Sequence, residues 1–295
     1  MKNFIFSRAN RQFTVVKNQQ GVTLLEVLIS LALGIFFLGI AVNYLIVGQQ
    51  SNQVQDSSSR AQENARFASN ILRDSIRLAG YTSSPAGNPS YFFAGDCEES
   101  NPCTIDDLSD NRGDRVAMTM IADDLVNEDC LGVDVDANDI FANVFWVDDI
   151  DNDGVRSLYC RGWNVTDGDW NDNAGPQPLV EGIEQMQVQY GITDIVNDNL
   201  LDGLNSPVSR YVSAAGLENV STDLGQNAGN FIRSVRIALL VDSGLQTDGS
   251  DVAGAAALQD DARAYALLDG DNVEIDDDRI RRVFTATVEL NNSFQ

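Results

Sequence analysis

Gln20-Gly21-Val22-Thr23-Leu24-Leu25-Glu26 begins an apolar run that continues to Val47. Residues 22–47 make a run of 26 residues. Such a run is long enough to cross the roughly 30 Å of bilayer hydrocarbon as one helix. Glu26 is the exception within it, because a carboxylate inside a membrane helix costs roughly 2.5–3.5 kcal/mol on insertion scales and needs a partner or a function. This stretch therefore predicts a membrane helix in which Glu26 has a partner or a function.

The flanks of the run predict its orientation. Residues 1–21 contain four basic side chains and no acidic one, which is typical of the end that stays in the cytoplasm. No small-x-small cleavage site follows around Gly48–Asn52, so a secretory signal peptide is disfavoured. We therefore expect a single-pass membrane protein, with everything after Val47 exported. An ordinary signal anchor with an incidental glutamate is the simpler alternative.

The Gly21–Glu26 junction resembles the class III signal of type IV pilins and type II secretion pseudopilins. The resemblance implies that a prepilin peptidase cuts between Gly21 and Val22 and that the new terminus at Val22 is N-methylated. It also implies that Glu26, as the fifth mature residue, neutralises the terminal amine of a neighbouring subunit during assembly. Residues 1–21 would then be a cleaved leader, and residues 22–47 a transmembrane and filament-core helix.

A second helical pattern follows in residues 48–80. Apolar side chains recur there at three- and four-residue spacing, which predicts one buried stripe on the outer half of the helix. The stripe consists of Ala61, Ala65, Ala68, Leu72, Ile76 and Ala79. Phe67, Ile71 and Leu78 are expected to widen it, and Gly80 is expected to cap the helix. This half of the helix is predicted to pack against a sheet.

Residues 81–295 show patterns typical of strands joined by acidic loops. The strand candidates are Arg115–Ala122, Ala142–Val147, Val155–Arg161, Gln185–Tyr190, Phe231–Val241 and Ile280–Leu290. Apolar and amide side chains alternate in Gln185–Tyr190, which predicts a half-solvated strand. A long helix followed by antiparallel strands predicts an α+β fold of the type IV pilin kind, with an exported globular domain at 81–295.

The charge of the chain excludes several classes of function. Four of the 19 basic residues lie in the leader, so the mature chain would carry 15 basic and 44 acidic residues, a formal charge of −29. Such a surface repels phosphate backbones, so nucleic acid is not an expected partner. The chain has no histidine and its exported part has no lysine, which removes the commonest general base and Ser-Lys chemistry. An enzyme is therefore not expected.

All four cysteines, Cys97, Cys103, Cys130 and Cys160, lie in the exported part. An even number of cysteines in an oxidising compartment predicts two disulfides, and three connectivities are open. A local Cys97–Cys103 bridge with a long-range Cys130–Cys160 bridge is the favoured pairing. A four-thiolate zinc site is the alternative, but the spacings lack the paired C-x2-C motifs of such sites.

Asp149, Asp151 and Asp153 alternate in a turn that ends in Gly154. Three carboxylates at this spacing can point onto one hard cation, so calcium is the candidate cofactor. Cys160 stands where an EF-hand loop has its bidentate glutamate, so further ligands would have to come from elsewhere. Other acidic turns lie at 194–203 and 269–271. A solvated turn that uses the turn preference of aspartate is the alternative at all three.

Several segments of the exported part are similar to the PilW family of minor pilins. They are Ser157–Gly162, Leu179–Gly191, Arg210–Val212, Val235–Val241 and Arg281–Thr285. This resemblance implies a subunit that helps to initiate and cap type IV pili at the tip and supports twitching motility and adhesion. The implied partners are other minor and major pilins, the inner-membrane assembly platform and the prepilin peptidase. The alternatives are a type II secretion pseudopilin of the J kind and a tip binding module whose acidic loops engage a surface.

Overall fold

The computed structural model describes residues 21–82, 92, 102–108, 112–150, 154–171, 175–193, 207–217, 232–246, 263–268, 272–275 and 279–290. The chain divides into two units, Met1–Gln49 and Gln50–Gln295. One long helix is followed by a sheet whose strands are almost all antiparallel, so the predicted α+β class is confirmed.

The helix α1 spans Leu24–Leu78, a sequence without proline. Thr23 caps its start, because the Thr23 hydroxyl accepts a hydrogen bond from the Glu26 amide at 3.3 Å. Beyond its end Gly80 has a φ of 74°, a left-handed conformation that glycine adopts without steric cost. The Gly80 amide donates to the Thr119 carbonyl at 2.8 Å. The predicted cap at Gly80 is therefore confirmed.

Most of the described strands belong to one sheet. The strands are β1 (Ile105–Leu108), β2 (Gly113–Ile121), β3 (Ile140–Asp148), β4 (Ser157–Asn164), β5 (Asp169–Trp170), β6 (Gln177–Glu181), β7 (Ile183–Ile192), β8 (Arg210–Val212), β9 (Ile232–Gln246), β10 (Arg263–Ala266), β11 (Asn272–Ile275) and β12 (Arg279–Glu289). The 10-stranded sheet runs β12-β9-β7-β2-β3-β4-β5, with β1 on β2, β6 on β4 and β8 on β7. Among the described pairs only β2 and β7 run parallel, at Gly113 and Met186.

The outer half of α1 packs on one face of this sheet. The predicted stripe from Ala61 to Ala79 is buried, and Leu72 and Ala68 are fully inaccessible to solvent. The stripe joins alternate residues of the central strands, such as Met118 and Phe145, in one apolar core. Because the stripe consists mostly of alanine, the helix can approach the sheet closely, while Leu72 and Ile76 fill the space toward its end.

The predicted widening of the stripe is correct only in part. Ile71 packs against the core, but Phe67 is 55% exposed and Leu78 is 38% exposed. At about 100° per residue, Phe67 and Leu78 lie more than about 100° away from the centre of the stripe. They therefore face solvent, and the buried face of this half of the helix is narrower than predicted.

The sheet face that is turned away from α1 is covered in part by the β10–β11 hairpin. Leu240 of β9 packs there with Leu267 and Val273 in a second, smaller cluster. The Gln189 side-chain amide donates to the Leu268 carbonyl at 2.9 Å, which ties β7 to the same layer. The sheet is thus enclosed on both faces over β7 and β9.

The prediction of a half-solvated strand at Gln185–Tyr190 is wrong for this reason. Gln185 is only 4% exposed and Gln187 only 8% exposed, although they alternate with apolar residues. Their strand β7 lies inside the sheet, between β9 and β2. An alternating pattern indicates two different faces, but it does not say whether the polar face meets water or a second layer.

Candidate assembly site

The predicted cleavage site lies directly before the first turn of α1. Gly21 and Val22 are exposed, and the helix begins at Leu24. The Thr23 carbonyl accepts the first helical hydrogen bonds, from the Glu26 and Val27 amides at 3.1 and 3.3 Å. A cut between Gly21 and Val22 would therefore reach an accessible bond and leave the hydrogen bonds of the helix intact.

Glu26 lies in the first turn with an exposed side chain. Its backbone is fixed from both sides, because its amide bonds to Thr23 and its carbonyl accepts from the Ser30 hydroxyl at 2.7 Å. The free amides of a helix start carry a partial positive charge of roughly half a proton charge, which favours a carboxylate here. The Thr23-x-x-Glu26 spacing is also that of a capping box, so Glu26 can stabilise the helix start as well as meet a group from another chain.

The apolar residues of α1 from Val27 to Val47 are exposed and are not covered by the described part of the chain. Every residue from 21 to 49 is exposed, and the large apolar side chains range from 46% exposure at Ile46 to 79% at Leu24. By length and composition this part of α1 can cross a membrane. An apolar surface of this extent is covered by lipid or by other protein, because soluble chains rarely leave such patches in water.

A disulfide joins Cys130 to Cys160. Cys160 lies on β4 and is fully buried, whereas Cys130 lies in the long connection between β2 and β3, 30 residues earlier. The predicted Cys130–Cys160 pairing is confirmed. Cys103 is disulfide-bonded as well. Its predicted partner Cys97 lies outside the described residues, so a Cys97–Cys103 bridge stays a prediction.

The connection that carries Cys130 is also fixed by hydrogen bonds. Asp129 accepts from the Leu131 and Val133 amides at 2.8 and 3.0 Å and from the Asn171 side chain at 3.1 Å. Gly162 on β4 permits this approach, because a Cβ there would lie 1.9 Å from the Asp129 carboxylate. The oxidised cysteine pair and this carboxylate together hold the loop on the sheet.

Of the three candidate calcium ligands, Asp149 alone lies in the described part of the chain, and Asp151 and Asp153 lie outside it. The Asp149 carboxylate accepts from the Gly154 amide at 3.1 Å, as in a turn closed by an aspartate side chain. The described ranges contain no group of three or more metal-ligating side chains. The acidic turns at 194–203 and 269–271 also fall outside them. Calcium binding therefore stays a prediction.

A buried ion pair between Glu184 and Arg281 was not predicted. The Arg281 Nη2 donates to Glu184 Oε1 at 2.9 Å, and Nε donates to the other carboxylate oxygen. The Glu184 side chain is 11% exposed and the Arg281 side chain is 4% exposed. The available signal was the presence of charged residues in two strand segments, Leu179–Gly191 and Arg281–Thr285, that resemble PilW proteins. That signal shows an unusual residue but does not identify its partner.

The chain is similar to a known protein family and to a known sequence motif. Residues 144–292 match the family described as type IV pilus-assembly protein W, which is half of the chain, and residues 16–42 match the prokaryotic N-terminal methylation motif. Among solved structures, a type IV-like pilin from Thermus thermophilus is similar at 11% identity and a TM-score of 0.39. That match covers 79% of this chain and 97% of the pilin. A search of curated proteins gives no match.

Proposed function

Since the chain belongs to the type IV pilus-assembly protein W family, we propose that it acts as a minor pilin that helps to initiate pilus assembly and lies at the pilus tip. Twitching motility and adhesion would depend on it through the pili that it starts. The chain is a structural subunit in this proposal, with no catalytic role.

The observation that carries the proposal is the uncovered apolar surface of α1 between Leu24 and Val47. In the inner membrane, lipid covers this surface, with the basic leader in the cytoplasm and the acidic domain in the periplasm. In a pilus, the equivalent helices of other subunits cover it. The same surface is therefore covered by lipid in the membrane and by other subunits in the pilus. The transfer from membrane to pilus would begin with cleavage within the methylation motif at residues 16–42.

The change requires a partner for Glu26. After the prepilin peptidase has removed the leader, the Val22 amine is the new terminus of each subunit. We expect Glu26 to pair with the terminal amine of an adjacent pilin as the helices leave the bilayer together. Pairing offsets the cost of burying each charge, which is several kcal/mol for a lone ion in a low-dielectric environment. The assembly platform of the inner membrane would supply the movement.

The first experiment is to determine the intact mass and amino-terminal sequence of the protein from membranes, with and without the prepilin peptidase. The proposal expects a chain that starts at N-methylated Val22 only when the peptidase is present. An uncut chain in both strains, or one cut elsewhere, would support the simpler interpretation of a signal anchor.

The variant Glu26→Gln tests the assembly step itself. We expect it to be inserted and cleaved normally but to enter pili at a level at least about tenfold lower, because one lost charge pair is worth more than 1.4 kcal/mol in this setting. Glu63→Gln is the matched control, since Glu63 is an exposed carboxylate on the same helix beyond the apolar run. Normal incorporation of the Glu26 variant would contradict the proposed pairing.

Deletion of the gene separates this function from its alternatives. A minor pilin that initiates assembly leaves few or no surface pili when it is missing. A secretion pseudopilin leaves pili intact and stops the release of secreted proteins. A tip binding module leaves pili in place and lowers adhesion alone.

A further inference from the structure

The face of the sheet that is turned away from α1 carries a cavity of about 280 Å³ at its β3–β4 end. Val144, Trp146 and Asp148 alternate along β3 and line it. Phe145 and Val147, which alternate with them, point into the core shared with α1. The cavity is therefore on the outer surface of the exported domain, at the end of the sheet away from β9 and the β10–β11 hairpin.

Cationic side chains collect at this cavity. Its lining includes Arg112, Arg115 and Arg161 but only one acidic residue in the described part of the chain, Asp148. Three of the 15 arginines of the mature chain thus converge on one small space, in a protein that has 44 acidic residues. A local positive site within a strongly negative surface attracts a small anion while the surroundings repel extended polyanions.

Each of these arginines is positioned by a second contact. Arg112 Nη1 lies 2.6 Å from Asp148 Oδ2. Arg115 is buried and its Nε donates to the Cys103 carbonyl at 2.9 Å. The guanidinium carbon of Arg161 lies 4.4 Å from the centre of the Trp170 ring. The guanidinium groups are therefore held in place before any ligand arrives, which lowers the entropy cost of binding.

Indole rings form the other part of the wall. Trp146 and Trp170 line the cavity and are only partly buried. Tyr159 stacks on Trp146 at 6.2 Å, and Trp163 meets Trp170 edge to face at 5.1 Å. All three tryptophans of the chain thus lie on this face of β3, β4 and β5. Such rings offer flat apolar surfaces, which a saccharide ring can cover with its C–H groups.

We infer that this cavity, which we call the Arg–Trp cavity, binds a single sugar ring that carries a carboxylate, such as a free hexuronate. Guanidinium groups recognise the carboxylate with paired hydrogen bonds. Asp148 accepts hydrogen bonds from hydroxyl groups, of which a sugar ring has several and the hydrogen phosphate dianion only one. The volume is just below the ~300–1,000 Å³ range of pockets for drug-sized ligands, so it suits one ring. This inference concerns the exported domain and does not depend on the proposed role in pilus initiation.

The test is a titration of the full mature chain, purified in a polyoxyethylene detergent so that no detergent sugar competes. D-Galacturonate is the probe, and tryptophan fluorescence together with calorimetry gives the affinity. D-Galactose is the matched ligand without the carboxylate, and inorganic phosphate is the matched anion without the ring. We expect saturable binding of galacturonate and at least about tenfold weaker binding of both controls, since tenfold corresponds to 1.4 kcal/mol.

Variants locate the binding in the Arg–Trp cavity. Arg161→Gln and Trp146→Leu should each weaken galacturonate binding at least tenfold. Arg282→Gln is the control, because it removes the same charge from an exposed position on β12, at the opposite edge of the sheet. The inference is overturned by the absence of saturable binding to the unchanged protein, by equal binding of galactose or phosphate, or by an equal loss in Arg282→Gln.

Discussion

Several ionisable side chains of the sheet are buried away from water. Tyr190 on β7 is fully buried and its ring meets Phe92 edge to face at 4.8 Å. Burial raises the pKa of Tyr190 well above its ordinary value, and the nearby carboxylates of Asp114 and Asp106 raise the pKa further. Asp114 itself is held by the Val188 amide at 2.6 Å. The tyrosine therefore stays protonated in the folded protein when an exposed tyrosine would ionise.

This raised pKa makes the protein sensitive to alkali. Above the ordinary tyrosine pKa of about 10 the unfolded chain loses the Tyr190 proton while the folded chain keeps it, so stability falls as pH rises toward the folded pKa, by up to about 1.4 kcal/mol per pH unit. Tyr190→Phe should remove this slope between pH 10 and 11, measured by urea unfolding. Tyr265→Phe serves as the control, and an unchanged slope in Tyr190→Phe would contradict the assignment.

The ion pair between Glu184 and Arg281 should be costly to break from one side. Arg281→Met leaves the Glu184 carboxylate buried without its cation, and we expect a loss of about 3–5 kcal/mol in the free energy of unfolding. Adding Glu184→Leu should recover much of that loss, because two well-packed apolar residues can replace a buried pair. Arg282→Met, at the exposed neighbouring position, should change stability by less than about 0.5 kcal/mol. A double variant no more stable than Arg281→Met would refute this account.

At the scale of elements, the buried stripe of α1 is the main contact between helix and sheet. Leu72→Ala should lower the free energy of unfolding by about 2–5 kcal/mol, because Leu72 is fully buried and its removal leaves a cavity. Phe67→Ala removes a larger side chain from the same helix, but from a position that is 55% exposed, so its cost should be much smaller. Chemical unfolding of both variants measures the difference, and a larger loss in Phe67→Ala would show that the stripe is misplaced.

The elements differ in how far their sequences predicted them. The α1 stripe and the Gly80 cap follow from local rules, namely spacing and backbone conformation, and both were predicted. The strand candidate Ala142–Val147 falls within β3, and Phe231–Val241 differs from β9 by one residue at its start and five at its end. The burial of Gln185 and Gln187 could not be predicted, because it depends on a layer formed by the β10–β11 hairpin about 80 residues later.

At the scale of the whole molecule, no local sequence pattern predicted the order of the strands in the sheet. Four strands, β3 to β6, lie in the sequence between β2 and its parallel neighbour β7. In the sheet, β9 lies between β7 and β12. The Arg–Trp cavity lies on the strands β2, β3, β4 and β5, and it brings together Arg115, Trp146, Arg161 and Trp170, which are up to 55 residues apart in the sequence. The candidate assembly site differs in this respect, because Gly21, Val22 and Glu26 lie within six consecutive residues and could be proposed from the sequence alone; their roles stay predictions.

The acidic excess of the chain also belongs to this scale. Its formal charge of −25 predicts self-repulsion in the folded state, which salt reduces. Calcium bound at Asp149, Asp151 and Asp153 would add a separate effect. Calcium chloride should then raise the Tm by more than sodium chloride at equal ionic strength, and Asp149→Ala with Asp151→Ala should abolish this difference. A difference that persists in the double variant would exclude these aspartates as ligands.

The Cys130–Cys160 bond closes a covalent ring that contains the whole of β3 and the turn before β4. A protease would reach this ring next to Ile150 and Val155, which are 39% and 38% exposed. A single cut there divides the backbone into two fragments, and the disulfide keeps them covalently joined until a reductant separates them. β3 also stays hydrogen-bonded between β2 and β4 after such a cut. The sheet domain can thus be cut once by a protease between β3 and β4 and still remain covalently joined.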